Sequence, residues 1–420
     1  MNATSIAAAG ARSARKINLA GLAKHARRVA IPVITGAAGA VMLEIDLPFA
    51  GSPGADVRNF IVAGALLALA LRLVKTRTEG FVALAFWYAG SLSALPAIWS
   101  RFFANGMGWG ATATLAVILA LPAFLAPRRM PVAGAVLAIA FAAVPPLGLV
   151  GMGSPIMVAG GFFPGLGFVG LALTLAFFGL SAFRARWAVS LQLAACLFAA
   201  MFLFWQPKQP PDDAWAATSH VGAAPEDSFI RAYARIDTVK AQVAEGVRDG
   251  AKLIVAPEGT DNLWSDAESN IYWQDVRDAA RAAKASVLVG IYSAPLNSPE
   301  RVDGLADIAN GAIYPARVTI PIAMWRPWDR VQFPLHLGAS ALIPTVHGNA
   351  AYLMCYEELL AWPLMFQAVH HPKLLLSAAN QWFAEGWLLR PQERSVMIQA
   401  RLWGLPLLRA VNYAPIKWNE

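Results

Sequence analysis

The stretch YLMCYEELLAW, Tyr352 to Trp362, decides how the second half of this chain is read. An apolar run ends in Cys355, and Tyr356, Glu357 and Glu358 follow at once. A short apolar run bounded by polar residues reads as a buried strand, which places Cys355 just past a strand end. A cysteine buried for packing needs no acids beside it. A nucleophilic thiol needs a base and a partner for the developing oxyanion. On these residues alone both readings stay open.

Outward from this stretch the pattern alternates helix and strand. EDSFIRAYARIDTVKAQVAEGVRDG has helical spacing through Ile230, Tyr233, Ile236, Val239 and Val243 and stops at Gly250 in C-cap position. AKLIVAPEG reads as a buried strand, YWQDVRDAARAAKA as a helix and SVLVGIYSA as another strand. Further strands are expected at ALIPTVHG, AAYLMCY and KLLLSAAN. Such alternation predicts α/β layers, and α/β proteins bind ligands at one edge of the sheet. Glu258, Cys355, and the pair Asn380 and Trp382 each follow a different strand, so they are expected to converge there.

The first half is of another kind. The 420 residues are 57% hydrophobic and only 14% charged, with mean hydropathy +0.48, which points to a membrane protein. Apolar residues concentrate before about residue 206, in segments near 29–48, 58–75, 80–100, 109–127, 130–150, 163–183 and 187–205. Each is about as long as a bilayer crossing requires. Arg12, Arg15, Lys16, Lys24, Arg27 and Arg28 precede the first; Arg72, Lys75, Arg77, Arg128, Arg129, Arg184 and Arg186 fill alternate joints. By the positive-inside rule the N-terminus is cytoplasmic, and an odd number of crossings puts the rest outside. The expected organisation is a basic cytoplasmic N-terminus over 1–28, a transmembrane domain over 29–205, a Pro-rich linker over 206–218 and an extracytoplasmic domain over 219–420. In a bacterium with two membranes that domain lies in the periplasm.

The net charge of +8 is therefore mainly a topology signal, and no direct nucleic-acid binding is expected, because the bases are spread over several joints. GLGFVG, Gly165 to Gly170, sits inside an apolar run without a preceding strand, so it reads as close helix packing and not a dinucleotide site. His336, His347, His370 and His371 lack ligand spacing, so neither metal nor cofactor is expected. Trp325, Trp328 and Phe333 read equally as a loop at the lipid interface or as packed core. Cys196 falls in the last membrane segment and Cys355 in the outer domain, so the two are expected to remain free thiols.

The order APEGT around Glu258, CYEE at Cys355, SAANQWF, and ARLWGLPLLRAVN near the end resembles the carbon-nitrogen hydrolase (nitrilase) superfamily. With a multi-helix first half containing FVALAFWYAGSLSALPAIW, the chain is similar in particular to apolipoprotein N-acyltransferase. The resemblance implies a four-layer αββα domain behind a polytopic helical one. It implies a Glu, Lys, Cys triad, with Glu258 as general base and Cys355 as the nucleophile that forms a thioester. The backbone N–H of Tyr356 would serve the oxyanion, Glu357 would orient the site, and Asn380 and Trp382 would line the pocket. Membrane lipid is the implied acyl donor.

The lysine is where the sequence departs. The only lysine between Glu258 and Cys355 is Lys284, in a helix leading into a strand; the family's lysine segment matches YPARVTIPIAMWRPW best, giving Arg317. A planar guanidinium does not replace an ammonium conservatively. This block is similar to a conjugal-transfer branch of the family, found on plasmids of agrobacteria and rhizobia. That narrower resemblance implies an inner-membrane protein that assists plasmid transfer alongside envelope proteins. An active membrane N-acyltransferase working through a Cys355 thioester is the alternative, and hydrolysis of a small periplasmic amide is a third reading.

Overall fold

The computed structural model describes residues 19–45, 54–222, 229–265, 271–293, 300–330, 333–338 and 342–414. Arg12, Arg15, Lys16 and the rest of 1–18 lie outside the described residues. The first half is helical: α1 (Leu19–Leu43), α2 (Ala55–Leu73), α3 (Arg77–Ser91), α4 (Leu95–Phe103), α5 (Gly108–Ala120), α6 (Pro131–Ala142), α7 (Ala159–Phe162), α8 (Gly167–Gly179) and α9 (Arg186–Met201). They share a core that includes Phe60, Trp87, Tyr88, Ile139 and Phe178.

Helices occur near every expected segment, but seven crossings are not confirmed. By length and composition, one helix among the described residues, Ala23–Leu43, is sufficient to span a bilayer; the number rises to three if two bent pairs each count as one span. Arg77–Ser91 and Leu95–Phe103 meet at 56°, and Pro155–Phe162 and Gly167–Ala182 at 115°. Local chemistry explains the difference. Pro96 starts α4, and Pro131 starts α6; the missing proline N–H favours a helix start over a helix interior. α2 is 19 residues long but carries Asp56, Arg58 and Arg72. Glycine sets close helix approach instead: a Cβ at Gly90 of α3 would lie 2.1 Å from the Gly36 carbonyl oxygen of α1. The GLGFVG glycines do the same. A Cβ at Gly167 would meet the Trp403 ring at 2.8 Å, and one at Gly170 would meet Leu402 at 2.9 Å.

The second half adds β1 (Ala214–Ala216), β2 (Thr218–Ser219), α10 (Phe229–Arg248), β3 (Leu253–Val255), β4 (Asp261–Trp264), α11 (Gln274–Ala283), β5 (Ser286–Ser293), β6 (Val302–Asp307), β7 (Ile313–Pro315), β8 (Ile343–Thr345), β9 (Gly348–Met354), α12 (Trp362–Ala368), β10 (Leu374–Gln381), α13 (Arg390–Trp403) and β11 (Leu407–Tyr413). One sheet runs β1-β3-β5-β6-β7, with β4 on β5; the other runs β2-β11-β10-β9-β8. β1, β3 and β5 are parallel, as are β2, β11, β10 and β9. The linker's last residues already belong to a sheet, since Ala214–Ala216 pairs with Leu253–Val255.

Alternation along the strands builds the layers. Leu253, Val255, Leu288, Tyr352, Met354 and Leu376 pack between the two sheets. Val239 and Val243 of α10 and Val276 of α11 cover the outer face of the first sheet. Leu364 of α12 with Val396 and Ala400 of α13 cover that of the second. The order is thus helix, sheet, sheet, helix. α13 is shared with the first half, because Ile398 and Leu402 sit in the bundle core.

Candidate functional site

β9 and β10 are parallel, with Met354 opposite Ala378, so Cys355 and Asn380 leave the same edge of one sheet. Glu258 leaves the matching edge of the other sheet, after β3. Cys355 has φ +31°, a left-handed backbone rarely adopted by a side-chain-bearing residue. It opens the 3-10 turn Cys355–Leu359, and this sharp turn aims the thiol off the strand axis.

The two acids after the cysteine hold that turn. Glu357 is fully buried and accepts from the backbone N–H of Met354 at 3.1 Å, of Arg317 at 2.5 Å and of Val318 at 3.3 Å. The Arg317 guanidinium, also fully buried, pairs with Glu357 at 3.4 Å and lies 4.3 Å above the Tyr352 ring. Burial raises the Glu357 carboxyl, and Arg317 and the three backbone donors pull it back. Glu358 takes a two-pronged bond from Arg409, at 2.7 and 2.9 Å, and a hydrogen bond from Ser377. Both acids therefore tie the cysteine loop to neighbouring strands.

At the open side, Glu258 is 2% exposed and accepts from the Tyr292 hydroxyl at 2.9 Å. The Cys355 thiol and the Asp303 carboxyl also face it within hydrogen-bonding reach. The thiol lies 3.7 Å from the Asn380 carbonyl oxygen, and Asn380 Nδ2 lies 3.4 Å from the Tyr292 hydroxyl. From α13, Gln392 Nε2 donates to the Cys355 carbonyl at 2.9 Å and lies 3.5 Å from the sulfur; Gln381 holds Gln392 at 2.8 Å.

Burial dominates the electrostatics. It pushes Glu258 up to about 7, opposed by hydrogen bonds from Cys355 and Tyr292. It holds Asp303 well above the usual carboxylate range, with the Glu258 charge adding to the effect. The thiol is also driven up, by burial and then by the adjacent Glu258. The resting site therefore holds a neutral thiol, and a nucleophile forms only as the proton passes to Glu258. A carboxyl titrating near 7 suits a base working at neutral pH.

Two cavities meet at Cys355. One, of about 520 Å³, is lined by Glu258, Tyr292, Asn380, Trp382, Phe102, Arg301 and Arg326. The other, of about 640 Å³, is almost wholly apolar, walled by Leu95, Ile98, Phe102, Leu115 and Ile118 of the first half and by Tyr356 and Leu359. Trp382 packs against Phe102 with the rings tilted at 59° and their centroids 5.1 Å apart, so the second half touches α4 at the cavity wall.

Of the residues singled out from the sequence, Glu258, Cys355, Asn380 and Trp382 share one cavity wall. Tyr356 follows the sulfur and sends its hydroxyl to the Leu149 carbonyl oxygen. Glu357 and Arg317 lie behind the turn as a pair, and Arg317 does not line the cavity. Tyr292, Asp303 and Gln392 were missed. Tyr292 sits in SVLVGIYSA at the same sheet edge as Glu258 and could have been found by extending the strand-end logic to β5. Among the described residues no group of three ligating side chains could hold a metal ion.

No family model matches the chain. Conjugal transfer protein TraB of Agrobacterium fabrum is 28% identical over 394 residues, covering 89% of this chain and 83% of that protein. A probable conjugal transfer protein TraB of Sinorhizobium fredii is 26% identical over 289 residues, 66% of this chain and 71% of that one. Among solved structures, an amidase from Nesterenkonia sp. is 18% identical, with TM-score 0.34, covering 47% of this chain and 74% of its own. A carbon-nitrogen hydrolase from Helicobacter pylori is 12% identical, with TM-score 0.33, covering 47% of this chain and 72% of its own. The chain is thus similar to the TraB proteins over most of its length, and its structural neighbours are of the nitrilase kind over about half of it.

Proposed function

We propose that this chain is an inner-membrane protein that assists conjugal plasmid transfer and carries a nitrilase-like site without the catalytic lysine. The similarity to TraB over 89% of the chain carries this reading. The apolar α1 and the bent helix pairs support insertion in the membrane. In this reading the N-terminus is cytoplasmic and the α/β half periplasmic, next to envelope proteins of the transfer apparatus. Deleting the gene in a plasmid donor, with and without complementation, tests it. Transfer frequency should fall with growth unchanged; normal transfer from the deleted donor sinks the proposal.

At the site, Glu258 takes the Sγ proton as the sulfur attacks a carbonyl carbon. The carbonyl oxygen gains the negative charge beside the Tyr356 N–H. Collapse expels the leaving group, which takes the proton from Glu258 and leaves a thioester. An incoming amine or water then attacks that thioester, Glu258 accepts its proton, and the sulfur departs and recovers the proton.

The apolar cavity that ends at Cys355 favours a second reading, acyl transfer from a membrane lipid. The acyl chain would lie in that cavity with its ester at the sulfur. Intact mass with and without hydroxylamine tests it: an acyl adduct, absent in Cys355→Ala, is expected. A folded, lipid-bound protein with no adduct rules out a stable acyl-thioester.

A further inference from the structure

Attack by Cys355 puts negative charge on a sulfur whose residue is 5% exposed. Burial, Glu258 and Glu358 all oppose that charge, and the Asn380 backbone counters them only in part. Arg317 is paired with Glu357 behind the turn. A buried charge is costly unless donors meet it, and α13 brings a donor. Gln392, 6% exposed, places Nε2 2.9 Å from the Cys355 carbonyl oxygen and 3.5 Å from the sulfur. A carbonyl oxygen can only accept, so it fixes which end of the amide faces the cysteine. Gln381 Nε2 donates to the other end, Gln392 Oε1, at 2.8 Å. One amide hydrogen is thus engaged by the carbonyl, and the second is left for the sulfur.

We propose that Gln392 is a catalytic residue whose Nε2–H donates to the Cys355 sulfur whenever that sulfur carries negative charge. The charge arises twice. It appears as the thiol proton passes to Glu258 and the sulfur attacks, and again as the thioester C–S bond breaks with its electron pair leaving on the sulfur. A hydrogen bond to a charged acceptor is about twice as strong as one to a neutral acceptor, so the amide favours the charged sulfur over the resting thiol. The donor is also held in advance of the reaction. Two residues along α13, Arg394 pairs with Asp56 of α2 at 2.8 Å. A Cβ at Gly160 of α7 would lie 2.1 Å from the Ile398 carbonyl oxygen, so the same helix sits directly on the bundle. This inference rests on the reading of Cys355 as a nucleophile and not on a part in conjugation.

The titratable groups facing the sulfur are Glu258 after β3 and Glu358 on the turn, with Tyr292 of β5 and Asp303 of β6 beside Glu258. Arg409 pairs with Glu358 at 2.7 Å. Glu258→Gln removes the charge that couples to the thiol and lets the thiol titrate singly, while burial and Glu358 stay as they are.

The test uses the full chain in lipid nanodiscs, with iodoacetamide as probe and the Cys355 peptide read by mass. In Glu258→Gln, adding Gln392→Met should move the midpoint of the alkylation profile up by about one pH unit, an about tenfold slower reaction at a fixed pH below it. The rate at high pH should not fall, because a thiolate freed of its hydrogen bond is at least as nucleophilic. Gln392→Glu, of the same shape but without the N–H, should move the midpoint at least as far. An amide that only holds the turn would instead lower the high-pH rate and leave the midpoint in place, and that result overturns the inference. If Gln392→Met does not fold, Gln381→Leu, which releases the far end of the amide, should shift the midpoint in the same direction, and an unmoved midpoint there overturns it as well. A folded wild type whose Cys355 resists alkylation overturns both this inference and the nucleophile reading; a reactive Cys355 with an unmoved midpoint overturns this inference alone.

Discussion

Replacing Glu258 with Gln should change how stability depends on pH. Burial pushes this carboxyl up to about 7 from 4.5, so between those values the folded state holds a proton that the unfolded chain releases. Stability from this group is therefore fully present below about pH 4.5 and is lost as pH rises through about 7. At about 1.4 kcal/mol per pH unit of displacement, the loss amounts to about 3 kcal/mol. Because Asp303 faces Glu258, the titration belongs to the pair and the first proton lost is the one observed. Glu258→Gln keeps an oxygen for the Tyr292 hydroxyl and has no charge to bury. Relative to the variant, the wild type should lose about 3 kcal/mol between about pH 5 and pH 8, or about 6–12 °C in Tm for a cooperative unit of about 200 residues. Intrinsic tryptophan fluorescence during heating, in nanodiscs at both pH values, measures it. Parallel curves for the two proteins, or a wild type that gains stability towards pH 8, would refute the reasoning.

Three further outcomes follow from the same geometry. Arg317→Met strands the buried Glu357 charge and should cost about 3–5 kcal/mol in denaturant unfolding, while Arg317→Lys should not speed Cys355 alkylation, because the side chain lies behind the turn. Tyr292→Phe removes the 2.9 Å bond that favours ionised Glu258; the pH profile of alkylation should move to higher pH, and an unmoved profile would count against Glu258 as the base. A Cβ at Gly290 would meet the Pro257 oxygen at 2.2 Å and Glu258 Cα at 2.5 Å; Gly290→Ala should displace Glu258 and slow alkylation, with a stability cost of about 1–3 kcal/mol.

The strands that carry the site were legible because apolar runs with polar ends mark β3, β5, β9 and β10 directly. Glu258, Cys355 and Asn380 followed from parallel strands sharing an edge. Asp303 was not legible: β6 pairs antiparallel to β5, so it reaches that edge by its beginning, where strand-end logic does not look. Gln392 comes from a helix that packs on the cysteine, a tertiary fact with no local signal. Arg317 follows β7, and its side chain turns towards Glu357 and away from the cavity, which a segment match does not reveal. The seven crossings are not confirmed, because hydropathy registers composition and is blind to the prolines and glycines that break and bend the helices.

α13 settles what can be separated from what. Its Ile398 and Leu402 belong to the helical core, its Val396 and Ala400 to the sheet, and its Gln392 to the cysteine. Arg401, from the same helix, donates to the Gly160 carbonyl at 3.0 Å. A cut in the linker near residue 206 would therefore not release a water-soluble domain. It would strip a greasy seam bare and loosen the helix that steadies the sulfur. Expressed alone, residues 206–420 should sediment with membranes or aggregates, and recovery as a monodisperse soluble protein would show that the seam is dispensable.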